Sequence, residues 1–165
     1  MNITTFEPFK SRNYRLFFTG QSVSLIGTWM QKTAVSWVIY SLTHSTLYLG
    51  LSLFASQFPA FLFSLLGGVV SDRYNRYRVL LATQAASMIQ ATVLAILVLS
   101  GYYNVWIILT LSAVLGIINA FDVPARQALV YEMIDDKRYL PNALALNSSM
   151  VNLSRLIGPA IAGFI

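Results

Sequence analysis

The stretch GVVSDRYNRYR, Gly68–Arg78, decides how the rest of the chain is read. It spaces a glycine, an acid and three arginines as G-x-x-x-D-R-x-x-R-x-R, with Asp72 followed by Arg73, Arg76 and Arg78. Long apolar runs flank it on both sides. A short basic turn between two runs of membrane length marks the cytoplasmic side of a bilayer, because arginine and lysine concentrate in loops on that side. The other segments can be oriented from this turn.

The bulk composition agrees. The 165 residues are 56% hydrophobic and 10% charged, where a soluble domain carries about 25% charged residues. With a mean hydropathy of +0.63, that deficit places the chain in lipid. The formal net charge of +5 falls in connecting segments rather than along one face, so it does not argue for a nucleic-acid partner. The chain has no cysteine and a single histidine, His44, which excludes a disulfide framework, a thiolate site and a histidine metal cluster. No nucleophile–base set and no phosphate loop is present, so neither enzymatic activity, a cofactor nor a metal is expected. The first apolar run is too long for the core of a cleavable signal peptide and reads as an uncleaved signal-anchor.

Five runs are long enough to cross a ~30 Å hydrocarbon core as helices, at about 16–42, 47–71, 79–99, 105–131 and 141–165, after a polar tail over 1–15. Helix is the only suitable form, because an open strand leaves its backbone groups unpaired in lipid. The fold expected is therefore an all-α integral membrane bundle. Nine of the eleven basic residues fall in the tail, in the 72–78 turn, or at the inner end of the fourth run and its following loop (Arg126, Lys137, Arg138). The connections Thr43–Thr46 and Ser100–Asn104 have none. The N-terminus is thus expected in the cytoplasm. Tyr14, Tyr40, Tyr48, Tyr74, Tyr77, Tyr102, Tyr103, Tyr131 and Tyr139 lie near the run ends, where an interfacial aromatic belt is expected. Five spans leave the C-terminus outside directly after a helix, so the chain reads as the start of a longer protein.

The two remaining cations lie inside spans. Lys32 is about sixteen residues into the first, too deep for its stem to reach the interface with ease, and should face protein or water. Gln21, Ser24, Thr28, Gln31, Lys32 and Ser36 share one arc of a 3.6-residue helix. The arc reads as a water-filled substrate path in which Lys32 binds or gates, against the plainer alternative of a buried lysine paired for packing. In the fifth run, Ser148, Asn152, Arg155 and Pro159 share a face. Pro159 cannot donate to the Arg155 carbonyl, and Gly158, Ala160, Ala162 and Gly163 are small enough for close helix approach. Packing alone is the competing reading there. Asp122, beside Pro124 and Arg126, is expected to approach the depth of the 72–78 turn, forming a pair with Arg73, Arg76 or Arg126 that acts as a conformational latch.

The Gly68–Arg78 turn resembles the signature of the major facilitator superfamily, G-x-x-x-D-R-x-G-R-[KR], which lies between that family's second and third helices. Gly68, Asp72, Arg73 and Arg76 match it. Asn75 replaces the glycine, and its tolerance of the left-handed conformation would preserve the turn. Gly158-Pro159-Ala160-Ile161-Ala162-Gly163 resembles the fifth-helix antiporter motif G-P-x-x-G-G, in which Gly158, Pro159 and Gly163 match. Phe121–Ala128, Asn142-Ala143, Asn147-Ser148 and the opening Ser24–Gln31 are similar to the branch with siderophore and macrolide exporters.

The resemblance implies the first five helices of an N-terminal six-helix bundle, in a transporter of two such halves rocking about a midplane site. The missing C-terminal half is then a required partner, beside the lipid bilayer, a small-molecule substrate and protons. The function implied is proton-coupled efflux of an amphipathic, siderophore- or drug-like molecule across the cell's inner or plasma membrane. Gln21, Thr28, Gln31, Lys32, Asn152 and Arg155 would line the path, and Gly68, Asp72, Arg73, Arg76, Asp122 and Arg126 would form the latch. Asp122 is the one carboxylate placed to carry a proton. The alternatives are a non-transporting membrane scaffold that uses the Gly158–Gly163 face, or a nonfunctional truncated product.

Overall fold

The computed structural model describes residues 7–134 and 136–164. Of the segments expected above, residues 1–6 of the tail, Asp135 of the fourth loop and Ile165 at the end of the fifth run lie outside the described residues. A 3-10 turn, Glu7–Lys10, precedes α1 (Arg12–Thr43), α2 (Thr46–Arg73), α3 (Arg76–Leu99) and α4 (Val105–Met133). A second 3-10 turn, Lys137–Tyr139, leads into α5 (Leu140–Phe164). No strand occurs among the described residues. At 1.5 Å per residue every helix exceeds the ~30 Å of a hydrocarbon core. Three of them, α2, α3 and α4, are also apolar enough to cross it. The other two, α1 and α5, match them in length but not in apolarity, and they are the helices that carry Gln21, Gln31, Lys32, Asn152 and Arg155.

The connections are short and capped by side chains. Asn75 is the N-cap of α3, with φ −60° and its side-chain oxygen accepting from the Arg78 backbone N–H. The turn is therefore preserved by capping, and the left-handed conformation expected of Asn75 is not used. Asn104 Oδ1 accepts from the N–H of Trp106 at 3.0 Å, one of the orphan donors at the start of α4. Lys137 Nζ reaches the carbonyls of Tyr131 and Ile134 at the far end of α4, where cationic donors are favoured. Asp136 accepts from the Arg138 guanidinium and backbone N–H, and these bonds hold its carboxyl below the usual carboxylate range.

Packing divides the chain into two compact units. The first holds the described residues of Met1–Thr33 and Leu129–Ile165. Its core gathers Tyr14, Val130, Ile134 and Ala143, with Phe9, Phe17 and Phe18 packed around them. Tyr14 is fully buried there and donates to the Ala143 carbonyl at 3.2 Å. It is thus a core residue and not a member of the interfacial belt, because its phenol turns inward to a carbonyl of α5.

The second unit is Ala34–Ala128. Its core gathers Ile39, Leu94, Ile108 and Leu109. Asp122 pairs with Thr83 and Gln84 while the Leu111 carbonyl accepts from Gln90, so α3 and α4 run antiparallel. Close approach of α2 to α4 depends on two glycines. A Cβ added at Gly67 would run into the Ala120 carbonyl, and one at Gly116 into the Ser56 carbonyl. Pro124 explains part of this. Pro124 has no N–H, so the Ala120 carbonyl loses its partner four residues on. A Cα–H of Gly67 points at that carbonyl instead, a weak hydrogen bond of the kind that recurs between closely packed helices.

This contact separates the two adjacent glycines. Gly67 meets backbone, whereas a Cβ at Gly68 meets nothing within 4 Å. In the full-length protein Gly67→Ala should lower stability by about 1–3 kcal/mol as α2 is pushed off α4. Gly68→Ala should leave it unchanged or raise it by up to about 1 kcal/mol through helix propensity. Thermal melting of the purified protein distinguishes the two. Equal losses at both positions would refute this packing.

Candidate substrate site

Within the first unit α1 and α5 lie side by side and run in the same direction. Tyr14 meets Ala143, and Trp29 meets Gly158, with the same sequence offset of 129 at both levels. Gly158 makes the upper contact possible. A Cβ there would stand 2.6 Å from the Trp29 Cβ and 2.9 Å from the Ile26 carbonyl. The helix runs on through Pro159 to Phe164. Gly163, the other matched glycine of that motif, has open space around it.

The close approach brings two cations onto one ring. Lys32 Nζ is 4.6 Å from the Trp29 ring centroid, and Arg155 Cζ is 5.4 Å from it. Lys32 is one turn beyond Trp29, and Arg155 is one turn before Gly158, so both placements follow from helical spacing. Both cations are in range of the negative face of the indole. Neither α1 nor α5 contains an acid.

The remaining residues of the expected path divide. Gln21 is 5% exposed, and its amide nitrogen has no hydrogen-bond partner. The buried Asn147 amide oxygen, on α5, also has none. An orphan donor and an orphan acceptor thus occur on neighbouring helices of this unit. Thr28 and Asn152 bond back to their own helices, to the carbonyls of Ser24 and Ser148, each at 2.9 Å. Gln31 is half-buried on α1.

The second unit places the expected latch residues. Asp122 is 6% exposed. Its Oδ1 lies 2.9 Å from the Thr83 hydroxyl and accepts from the Gln84 amide at 2.9 Å. Its Oδ2 is 3.7 Å from Arg126 Nη2, and Arg126 Nη1 has no hydrogen-bond partner. Asp122 is not level with the 72–78 turn. Its partners on α3 lie seven and eight residues beyond Arg76, on the order of 10 Å along the helix. The register of α3 on α4 sets this depth, and the acid pairs with Arg126 rather than with Arg73 or Arg76. Asp72, Arg73 and Arg78 are exposed and Arg76 is half-buried around the Tyr74–Asn75 connection.

Four residues were missed in the sequence. Trp29 was three positions from Lys32, on the helix already identified as polar. Thr83 and Gln84 are polar side chains in an apolar run, a signal of the same kind as Lys32. Gly67 was masked by the motif match at its neighbour.

Comparison with known proteins places this geometry in a family. The sequence family described as transmembrane secretion effector matches residues 3–165. A staphyloferrin A transporter of Staphylococcus aureus is 30% identical over 152 residues, which are 92% of this chain and 38% of that protein. Macrolide efflux protein A of Streptococcus pyogenes is 24% identical over 160 residues, 94% of this chain and 39% of its own length. The enterobactin exporter EntS of Shigella boydii is 28% identical over 152 residues, 92% and 36%. The chain thus spans less than two fifths of the curated relatives it matches. No solved structure matched. This chain has five long helices, three of them apolar enough to span a membrane, and the family match runs over nearly its whole length: the chain belongs to the transmembrane secretion effector family of the major facilitator superfamily.

Proposed function

We propose that this chain supplies the first five helices of a secondary active exporter, with all five crossing the cell's inner or plasma membrane and the N-terminus in the cytoplasm. Its relatives extend well beyond the part it matches, so the complete transporter is taken to have two six-helix halves that alternate access to a midplane site. The cargo is an amphipathic, siderophore- or drug-like small molecule, and protons drive its exit. The observation that carries this reading is the meeting of Lys32 and Arg155 at Trp29. A cation near the middle of a bilayer costs roughly 2.5–3.5 kcal/mol on insertion scales. A cation–π contact returns about 0.5–2 kcal/mol. The difference favours a cluster that faces water or cargo. The scaffold reading is weakened by Gly158, which is already spent on α1.

Asp122 is the proposed proton carrier, since it is the carboxylate held inside a span by Thr83, Gln84 and Arg126. Protonation would loosen its hold on Arg126 and so couple proton entry to rearrangement of α3 and α4.

Two outcomes are expected of the full-length protein. Inverted membrane vesicles should accumulate an amphipathic fluorescent probe in excess of vesicles lacking the protein, and a protonophore should abolish that excess. Accumulation indifferent to the protonophore would refute proton coupling, and no excess for any tested probe would count against export. Asp122→Asn alone strands a buried arginine, which should cost about 3–5 kcal/mol of stability. Adding Arg126→Gln should recover most of the loss, as read by thermal melting. If the recovered double variant still couples efflux to protons, Asp122 is not the carrier.

A further inference from the structure

We propose that Lys32, Arg155 and Trp29 form a carboxylate-binding subsite, so that the exported molecule is an organic anion and not a cationic drug. The inference rests on the transport reading above and adds the charge of the cargo. It starts from the distribution of charge on the two helices. Over Arg12–Thr43 and Leu140–Phe164 there is no aspartate or glutamate, while the cations deepest in both helices converge on one indole. Two like charges held on one ring repel each other, and more strongly in a medium of low dielectric than in water. An anion bound by both relieves that repulsion.

The donor chemistry is specific. The guanidinium of Arg155 presents a planar fork that matches a carboxylate in two parallel hydrogen bonds, and Lys32 adds a compact point charge. Trp29 contributes a third feature. Its ring faces both cations, which fixes their approach and offers apolar surface beside the charged end of a ligand. Together these suit a molecule with at least one carboxylate joined to an apolar or aromatic body. A cationic amphiphile would have to approach two positive charges with no acid on either helix to receive it. The placement is also built rather than incidental. Gly158 allows α5 close enough to α1 for Arg155 to reach the ring, since a Cβ there would meet Trp29 and the Ile26 carbonyl.

The test uses the full-length transporter in nanodiscs, with carboxyfluorescein as anionic probe and rhodamine 123 as cationic probe of similar size, read by fluorescence anisotropy. The wild type should bind carboxyfluorescein in preference to rhodamine 123. Lys32→Gln and Arg155→Gln should each weaken carboxyfluorescein binding by about tenfold or more, the loss expected for one charge-assisted hydrogen-bonded partner. Lys32→Arg, which keeps the charge, should retain most of it, and this guards against loss by misfolding. Rhodamine 123 binding should be unchanged or tighter in the two glutamine variants. Preference of the wild type for rhodamine 123, absence of carboxyfluorescein binding, or binding that neither glutamine substitution alters would each overturn the inference. Transport in proteoliposomes separates it from the reading on which it rests. Anion binding through Lys32 and Arg155 without net movement would defeat the export proposal alone. Proton-driven movement of rhodamine 123 indifferent to both residues would defeat the anion subsite alone.

Discussion

Gly158 sets how close α5 can come to α1, and the arrangement of charge follows from that distance. With hydrogen in place of Cβ, the backbone of α5 rests on Ile26 and Trp29. One turn earlier Arg155 is then near enough to share the Trp29 ring with Lys32. The same device recurs in the second unit, where Gly67 seats α2 on a carbonyl of α4 and Gly116 seats α4 on a carbonyl of α2. Small residues suit a membrane because lipid is as apolar as leucine, so helices associate through close packing and hydrogen bonds rather than through burial of apolar area. The large exposed side chains of α2, such as Phe61 and Leu65, are consistent with that solvent.

Polar groups inside the bundle are handled in two ways. Asp122 is enclosed by Thr83, Gln84 and Arg126, so a charged side chain is surrounded by donors. The buried amides of Gln21 and Asn147 each keep an atom without a partner. The first arrangement stabilises one packing of α3 on α4. The second leaves hydrogen-bonding capacity on α1 and α5, the two long helices not apolar enough by composition to span a membrane. The proposed polar path along α1 and α5 draws on the second arrangement.

Much of this was legible in the sequence, and the exceptions have physical causes. That the chain forms five long helices followed from hydropathy, because no other signal competes in a chain with so few charges. The placing of Gln21, Gln31 and Lys32 on one long helix, α1, followed too. Which side chain the cations would meet did not follow, since that depends on the crossing of two helices far apart in sequence. Tyr14 was misjudged because position near a helix end does not distinguish a lipid-interface tyrosine from one turned inward to a carbonyl. The depth of Asp122 was misjudged because loop charge reports the side of the membrane and not the register of α3 on α4. Asn75 shows that a motif substitution can preserve a turn by a different route, as an N-cap rather than a left-handed residue.

The central claim is that the polar faces of α1 and α5 line a water-filled path, and the absence of cysteine from this chain makes it directly measurable. A thiol reacts with a maleimide as the thiolate, a form disfavoured in apolar surroundings. Single cysteines at Thr28→Cys and Asn152→Cys, in a full-length protein otherwise free of cysteine and in membrane fragments open on both faces, should react readily with a membrane-impermeant maleimide. Leu65→Cys, exposed on the apolar surface of α2, should not. Protection of Thr28→Cys and Asn152→Cys to the same degree as Leu65→Cys would contradict the account, because it would place both faces in lipid or in dry packing.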